Sequence, residues 1–255
     1  MIRIPFLDPH APDEFPPVED ALLEPDGLLA AGGDLRAERL LAAYRRGIFP
    51  WYSRGQPILW WSPNPRTVFE TAGMHVPRRL ARSLRTSAWT IRADSAFDAV
   101  VRACAAPRLR QRGTWIDAPM RKAYQRLHEL GHAHSIEAWD GDTLVGGIYG
   151  VAIGRMFFGE SMFSSAENGS KIALLALARA LRQWDFPLLD AQVASPHLFT
   201  LGAMEIERRE FCARVKALCE REGIPGSWRA IFPALRPPEL AQAPSAAESG
   251  DEAST

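Results

Sequence analysis

The sequence predicts an α+β fold in which a small N-terminal domain precedes a larger domain of mixed helices and strands. Three observations carry that expectation. Residues 27–66 are rich in Gly, Pro and large aromatic rings, unlike the rest of the chain. Beyond them, amphipathic helical windows alternate with short strand-like runs. At 255 residues the chain is long enough for one good core or two unequal ones.

Taken in order, residues 1–26 are Pro-rich and extended. Residues 35–46 form a short amphipathic helix in which Asp34 suits the N-cap and Leu40, Leu41 and Tyr44 share a face. Gly47 ends it. An aromatic loop comes next, closing in the turn Ser62-Pro63-Asn64-Pro65-Arg66. A soft boundary near residue 66 divides a domain at 1–66 from one at 67–236. In the larger domain, helices are expected at 77–85, 95–105 and 119–130, with Pro119 in a first turn. Strands are expected at 89–92, 134–139, 144–149 and 155–159, with Asp140-Gly141-Asp142 as a turn. Ser164 or Ser165 caps a helix running to about Trp184, a strand covers 188–193, and a helix near 196–201 and a C-terminal strand complete the domain. Residues 237–255 have Leu240 as their one large apolar residue and read as a disordered acidic tail. This order of helices and strands is that of a GNAT-like acyltransferase, an analogy at the level of fold alone.

Apolar content of 47% and charged content of 24% are ordinary for a soluble domain. No apolar run approaches the roughly 20 residues that span a bilayer. The first 17 residues hold five prolines, two Asp and a Glu where a secretory signal needs an apolar stretch, so a cytoplasmic location is expected. Three cysteines without a CxxC pair argue against a disulfide framework or zinc site. His132 and His134 have no third ligand nearby, so no metal is expected.

Charge cancels overall, 30 basic against 30 acidic residues, but not locally. Residues 74–126 hold twelve basic and three acidic side chains, a net +9 balanced by −9 elsewhere. Such a block is the footprint of phosphate contacts. A merely solvated Arg-rich surface is the plainer reading, because Arg replaces Lys throughout a chain with only three Lys. Arg78, Arg79, Arg82, Arg85, Arg110 and Arg112 are the candidates.

Three of eight Trp (Trp51, Trp60, Trp61) fall within eleven residues. Rings at that density either build a core or stack on something flat. Glu160 follows the apolar run Met156, Phe157, Phe158, and its carboxylate is either solvated at a turn or directed into a pocket walled by Met162 and Phe163. Asp190 and Gln192, two apart on a strand, share a face. Side by side they suit proton acceptance and orientation of an amine, or the Asp simply holds a loop. The turn before the central helix (Ser164 to Lys171) lacks the close glycines of a pyrophosphate loop and contains Glu167, so the acyl carrier is expected not to be CoA.

Eight blocks, namely GLLAAGGDL, YRRGIFPWY, PILWWSPNPR, GTWID, LHELGHAHSIEAW, LVGGIYG, GESMFS and LLDAQV, stand in the order of the leucyl/phenylalanyl-tRNA–protein transferases. The chain resembles that family over about residues 15–211. The resemblance implies a small domain packed on a GNAT-like one, and transfer of Leu, Phe or, less readily, Met from tRNA to proteins beginning with Arg or Lys, marking them for N-degron degradation. It implies stacking of the terminal adenosine on Trp51 and Trp115, and an apolar side-chain pocket including Ile148, Phe157, Met162 and Leu177. It makes Glu160, Asp190 and Gln192 the polar active-site positions, with Asp190 and Gln192 orienting and deprotonating the incoming amine. Glu160 would meet either the acceptor's cation or the donor's amino group. The partners are aminoacyl-tRNA and acceptor proteins; no cofactor, no membrane and a monomer are expected. A CoA-dependent N-acyltransferase and a non-catalytic tRNA-binding module are the alternatives.

Overall fold

The computed structural model describes residues 4–106 and 116–241. Its first part contains β1 (Phe6–Leu7), β2 (Leu28–Gly32), helix α1 (Ala37–Tyr44), β3 (Phe49–Pro50) and β4 (Leu59–Trp61). These strands form a four-stranded sheet in the order β1-β2-β4-β3. Two stretches read as extended or loop are thus paired. Trp60 is the reason: it is fully buried, packs edge-on against Phe15 and donates its indole N–H to the Gly32 carbonyl at 2.9 Å. The capping expectation for α1 needs correction. Arg36 is its N-cap and Asp34 lies outside, where its carboxylate accepts from the Arg36 amide at 2.8 Å.

The remainder runs β5 (Arg66–Glu70), α2 (Arg78–Thr86), β6 (Thr90–Ala93), α3 (Phe97–Ala105), α4 (Ala118–Glu129), β7 (Ala133–Asp140), β8 (Thr143–Ile153), β9 (Met156–Ser164), α5 (Gly169–Gln183), β10 (Leu188–Gln192), α6 (Pro196–Phe199), β11 (Met204–Ile206), α7 (Arg208–Cys219) and α8 (Pro237–Leu240). Its seven-stranded sheet has the order β11-β5-β10-β9-β8-β7-β6. The hairpin β7–β8 closes at residues 140–143, where Asp-Gly-Asp supplies the turn. Asp117 caps α4 by accepting from the Met120 amide at 2.9 Å, with proline in the first turn.

Alternation along β8 feeds two cores. Tyr149, Val151 and Ile153 join the one built with α1, α3, α4 and α7; Ile148 and Ala152 join the one built with α2, α5 and Trp228. The first core runs without a break into the N-terminal sheet through Leu29, Tyr44, Phe49 and Trp60. The central helix α5 lies close on β8, for a Cβ at Gly146 would come within 2.2 Å of the Gly169 backbone. Within the stretch read as a disordered tail, Pro237–Leu240 is helix α8, with Leu240 buried beside α2 and α5. A single large apolar residue gives no period to detect. Residues 242–255 lie outside the described residues.

Candidate active site

Strands β9 and β10 run parallel only as far as Phe158 and Asp190. Beyond that point both are irregular. On β9 the pairing with β8 shifts between Gly159 and Ser161, leaving Glu160 as the extra residue of a bulge. On β10 the pairing with β5 shifts between Asp190 and Gln192, and Gln192 has φ +64°, a left-handed conformation uncommon for a residue with a side chain. The bulges bring the two side chains together: Gln192 Nε2 donates to Glu160 Oε1 at 3.0 Å.

Glu160 is the centre of a buried hydroxyl cluster. Tyr44, the last residue of α1, is hydrogen-bonded to Oε1 at 2.6 Å, and Tyr124 of α4 is hydrogen-bonded to Oε2. The two phenol oxygens are themselves 2.8 Å apart. Tyr149 of β8 packs edge-on against Tyr124, and its hydroxyl makes no hydrogen bond among the described residues. Burial pushes the Glu160 carboxyl up to about 7, reinforced by the Asp190 charge and opposed by the donated hydrogen bonds. Burial, with Glu160 as neighbour, also drives Tyr44, Tyr124 and Tyr149 well above the ordinary phenol range.

Asp190 has a different setting. It is completely buried, and Arg66 grips both its oxygens, Nε to Oδ1 at 2.8 Å and Nη2 to Oδ2 at 2.6 Å. The Gln192 amide N–H adds a bond to Oδ1 at 2.9 Å. The guanidinium lies between the rings of Phe49 and Phe211, 4.7 and 4.5 Å from their centroids, and donates to the Gly47 carbonyl at 3.2 Å. A carboxylate so occupied holds the bulge in place.

The structure groups the apolar candidates but sets them across the sheet from the hydroxyl cluster. Ile148 pairs with Met162, and Ile148, Phe157 and Leu177 are buried together on the α5 side, with Met162 half-buried against them. Trp51 is 44% exposed and tilts against Trp61 at 5.8 Å, and the Trp61 indole donates to the Trp51 carbonyl at 2.6 Å. Its neighbour Tyr52 donates to Asp117 at 3.2 Å, tying this loop to the start of α4. Trp115, Arg110 and Arg112 lie outside the described residues. Arg78, Arg82 and Arg85 are exposed on α2, whereas Arg79 pairs with Glu167 at 3.2 Å.

Arg66, Tyr44 and Tyr124 were not singled out from the sequence. Tyr44 reads as a core residue of an amphipathic helix, which it also is. Arg66 reads as the end of a turn, whereas it opens β5. A buried Asp among apolar neighbours needs a partner, and that demand is the one sequence signal that could have led to Arg66.

Comparison with known proteins agrees with the resemblance. A family model described as leucyl/phenylalanyl-tRNA protein transferase matches residues 68–216, and one for the N-terminal domain of the same proteins matches residues 33–64. A leucyl/phenylalanyl-tRNA–protein transferase from Xanthomonas euvesicatoria is 60% identical over 231 residues, covering 90% of this chain and 92% of its own. One from Xylella fastidiosa strain M23 is 58% identical over 228 residues, covering 89% and 94%. The class is therefore that of aminoacyltransferases that move an amino acid from tRNA to protein. Within it, the chain belongs to the leucyl/phenylalanyl-tRNA–protein transferase family. Likeness to solved structures is distant. L-PGS from Bacillus licheniformis matches with TM-score 0.37 and 10% identity over 63% of this chain and 52% of that one, which assigns no shared fold. Among the described residues no helix is long and apolar enough to cross a membrane.

Proposed function

We propose that the chain carries Leu, Phe and, less readily, Met from aminoacyl-tRNA to the α-amino group of proteins beginning with Arg or Lys, tagging them for N-degron degradation. It acts in the cytoplasm as a monomer without a cofactor, on a GNAT-like domain. The observation that carries the mechanism is the buried Glu160–Gln192 node at the parting of β9 and β10. Amine attack on an ester needs the amine proton removed and the ribose oxygen protonated. Glu160, with its carboxyl at about 7, is matched to moving a proton between them. Gln192 orients the reacting groups. Asp190, locked to Arg66, acts at one remove by fixing Gln192, a change from the base role suggested by its position on the strand.

Trp51 is the stacking surface for the terminal adenosine. Ile148, Phe157, Met162 and Leu177, grouped on the α5 face of the sheet, are assigned to the amino-acid pocket, and Trp115 to the adenosine site. An apolar pocket discriminates by only about 1–3 kcal/mol, which suits tolerance of Leu, Phe and Met. The exposed Arg78, Arg82 and Arg85, with Arg79, Arg110 and Arg112, grip phosphates. The start of α5 argues against a CoA carrier: the Ser170 amide is already bonded to Ser164 Oγ at 2.8 Å and the Gly169 amide to the Ala166 carbonyl at 3.1 Å.

The deciding experiment is transfer of radiolabelled Leu from Leu-tRNA to a protein with N-terminal Arg, against an N-terminal Ala control. Label on the Arg protein alone, abolished by RNase pretreatment, is the expected result. Equal labelling of both proteins would overturn the acceptor assignment.

A further inference from the structure

The oxygens of Tyr44, Tyr124 and Glu160 close a triangle. The two phenol oxygens are 2.8 Å apart, Tyr44 Oη is 2.6 Å from Oε1, and Tyr124 Oη is in short contact with Oε2. All three residues are buried. Oxygens at such distances attract only when a proton lies between them, so three edges require three protons. With Glu160 ionised, the cluster holds two, one on each phenol, and one edge is left as two lone pairs facing each other. With Glu160 neutral the count closes. Oε2 donates to Tyr124, Tyr124 donates to Tyr44, and Tyr44 donates to Oε1, which still has a lone pair for Gln192. Phenol ionisation only worsens the count.

We infer that Glu160 rests as a neutral acid, closed into a hydrogen-bonded ring by Tyr44 and Tyr124 as positioning residues, and gives its proton to the ribose oxygen leaving the tRNA ester. This rests on the transfer reading above and specifies it. The C–N bond forms as the C–O bond to the ribose breaks. One proton passes from Glu160 to the ribose oxygen and one returns from the amine nitrogen to Glu160, so the ring ends as it began. A neutral acid makes no ion pair, so the cation of the acceptor side chain is met elsewhere.

The other groups facing Glu160 agree with this assignment. From β8 there is the uncharged Tyr149, with Cys104 of α3 behind it. From β10 there is Asp190, whose negative charge disfavours a second one and is itself neutralised by Arg66 of β5.

The test is infrared difference spectroscopy of the unliganded full chain at about pH 6, wild type against Glu160→Gln. A neutral-carboxyl C=O band that disappears in the variant is expected. Tyr44→Phe and Tyr124→Phe should each keep the band but shift its frequency, since each removes one hydrogen bond of the carboxyl. A carboxylate band alone, or a C=O band that neither Tyr→Phe change moves, would overturn the ring. The two Tyr→Phe variants carry the test if Glu160→Gln does not fold. For the donor role, the rate lost by Glu160→Gln should be smaller with an aminoacyl 2′-fluoro-adenosine donor, whose 3′ oxygen leaves more easily. Equal loss with both donors would remove that role. Wild-type transfer of Leu to the Arg protein, measured on the same preparation, keeps a failure of the ring distinct from a failure of the transfer reading.

Discussion

Two buried carboxylates stand on neighbouring strands, and the chain treats them in opposite ways. Asp190 is gripped at both oxygens by Arg66, which is held between two aromatic rings. Glu160 shares hydrogen bonds with two phenols and a side-chain amide and meets no cation. A guanidinium fixes charge in place, whereas hydroxyls leave a carboxyl free to gain or lose a proton. The contrast teaches that burial alone does not assign a role to an acid; the chemistry of its partners does.

The largest expected effect comes from removing the proton at Glu160. Glu160→Gln should keep the fold and lower turnover about 10²–10⁴-fold in single-turnover assays of the transfer step. Undiminished turnover would collapse the distinction between the two acids. Next is Asp190→Asn, which leaves Arg66 buried with no counter-charge. Urea denaturation should show a loss of about 3–5 kcal/mol, with Arg66→Met and Asp190→Leu together recovering much of it. Loss of turnover at unchanged stability would instead give Asp190 a direct part in the chemistry.

A third prediction uses pH. The folded Glu160 carboxyl lies at about 7 against 4.5 when unperturbed, so the folded state binds this proton more tightly than the unfolded state. Its contribution to stability is whole below about pH 4.5 and is lost as pH rises through about 7. The difference between wild type and Glu160→Gln in urea unfolding, taken from about pH 5 to about pH 8, should move against the wild type by on the order of 3 kcal/mol. His134, held low by burial, titrates in both proteins and cancels. A pH-independent difference would mean that Glu160 is ionised throughout. The smallest effect sharpens the edge of the site. Trp51→Ala should weaken binding of puromycin by about 1–3 kcal/mol, read by calorimetry, with little change in melting temperature, since the ring is already 44% exposed.

Much of the larger domain was legible because its strands and helices have strong periods. The β7–β8 hairpin was announced by alternation and an Asp-Gly turn, and α4 by Asp117 and Pro119. Strand β5 was not, because it begins at Arg66, where a Pro-rich turn suggested a boundary. Helix α7 was missed because its charged residues dilute the apolar stripe. In the site, Glu160, Asp190 and Gln192 could be named, but not what each one touches. Their relation depends on two bulges, and a one-residue slip in a strand leaves no mark on composition. Tyr44 lies 116 residues from Glu160 and Arg66 lies 124 from Asp190 along the chain, beyond any local pattern.

The clamp on Arg66 and the reach of Tyr44 bear on modularity. A chain begun at residue 67 would lack Tyr44, Gly47, Phe49 and Arg66 together, and with them one hydroxyl partner of Glu160 and the cation of Asp190. The first quarter of the molecule is therefore not an appendage to a self-sufficient larger domain. It supplies a hydroxyl to Glu160 and a guanidinium to Asp190. Transplanting the larger domain onto another targeting module would carry over the sheet and leave those two partners behind.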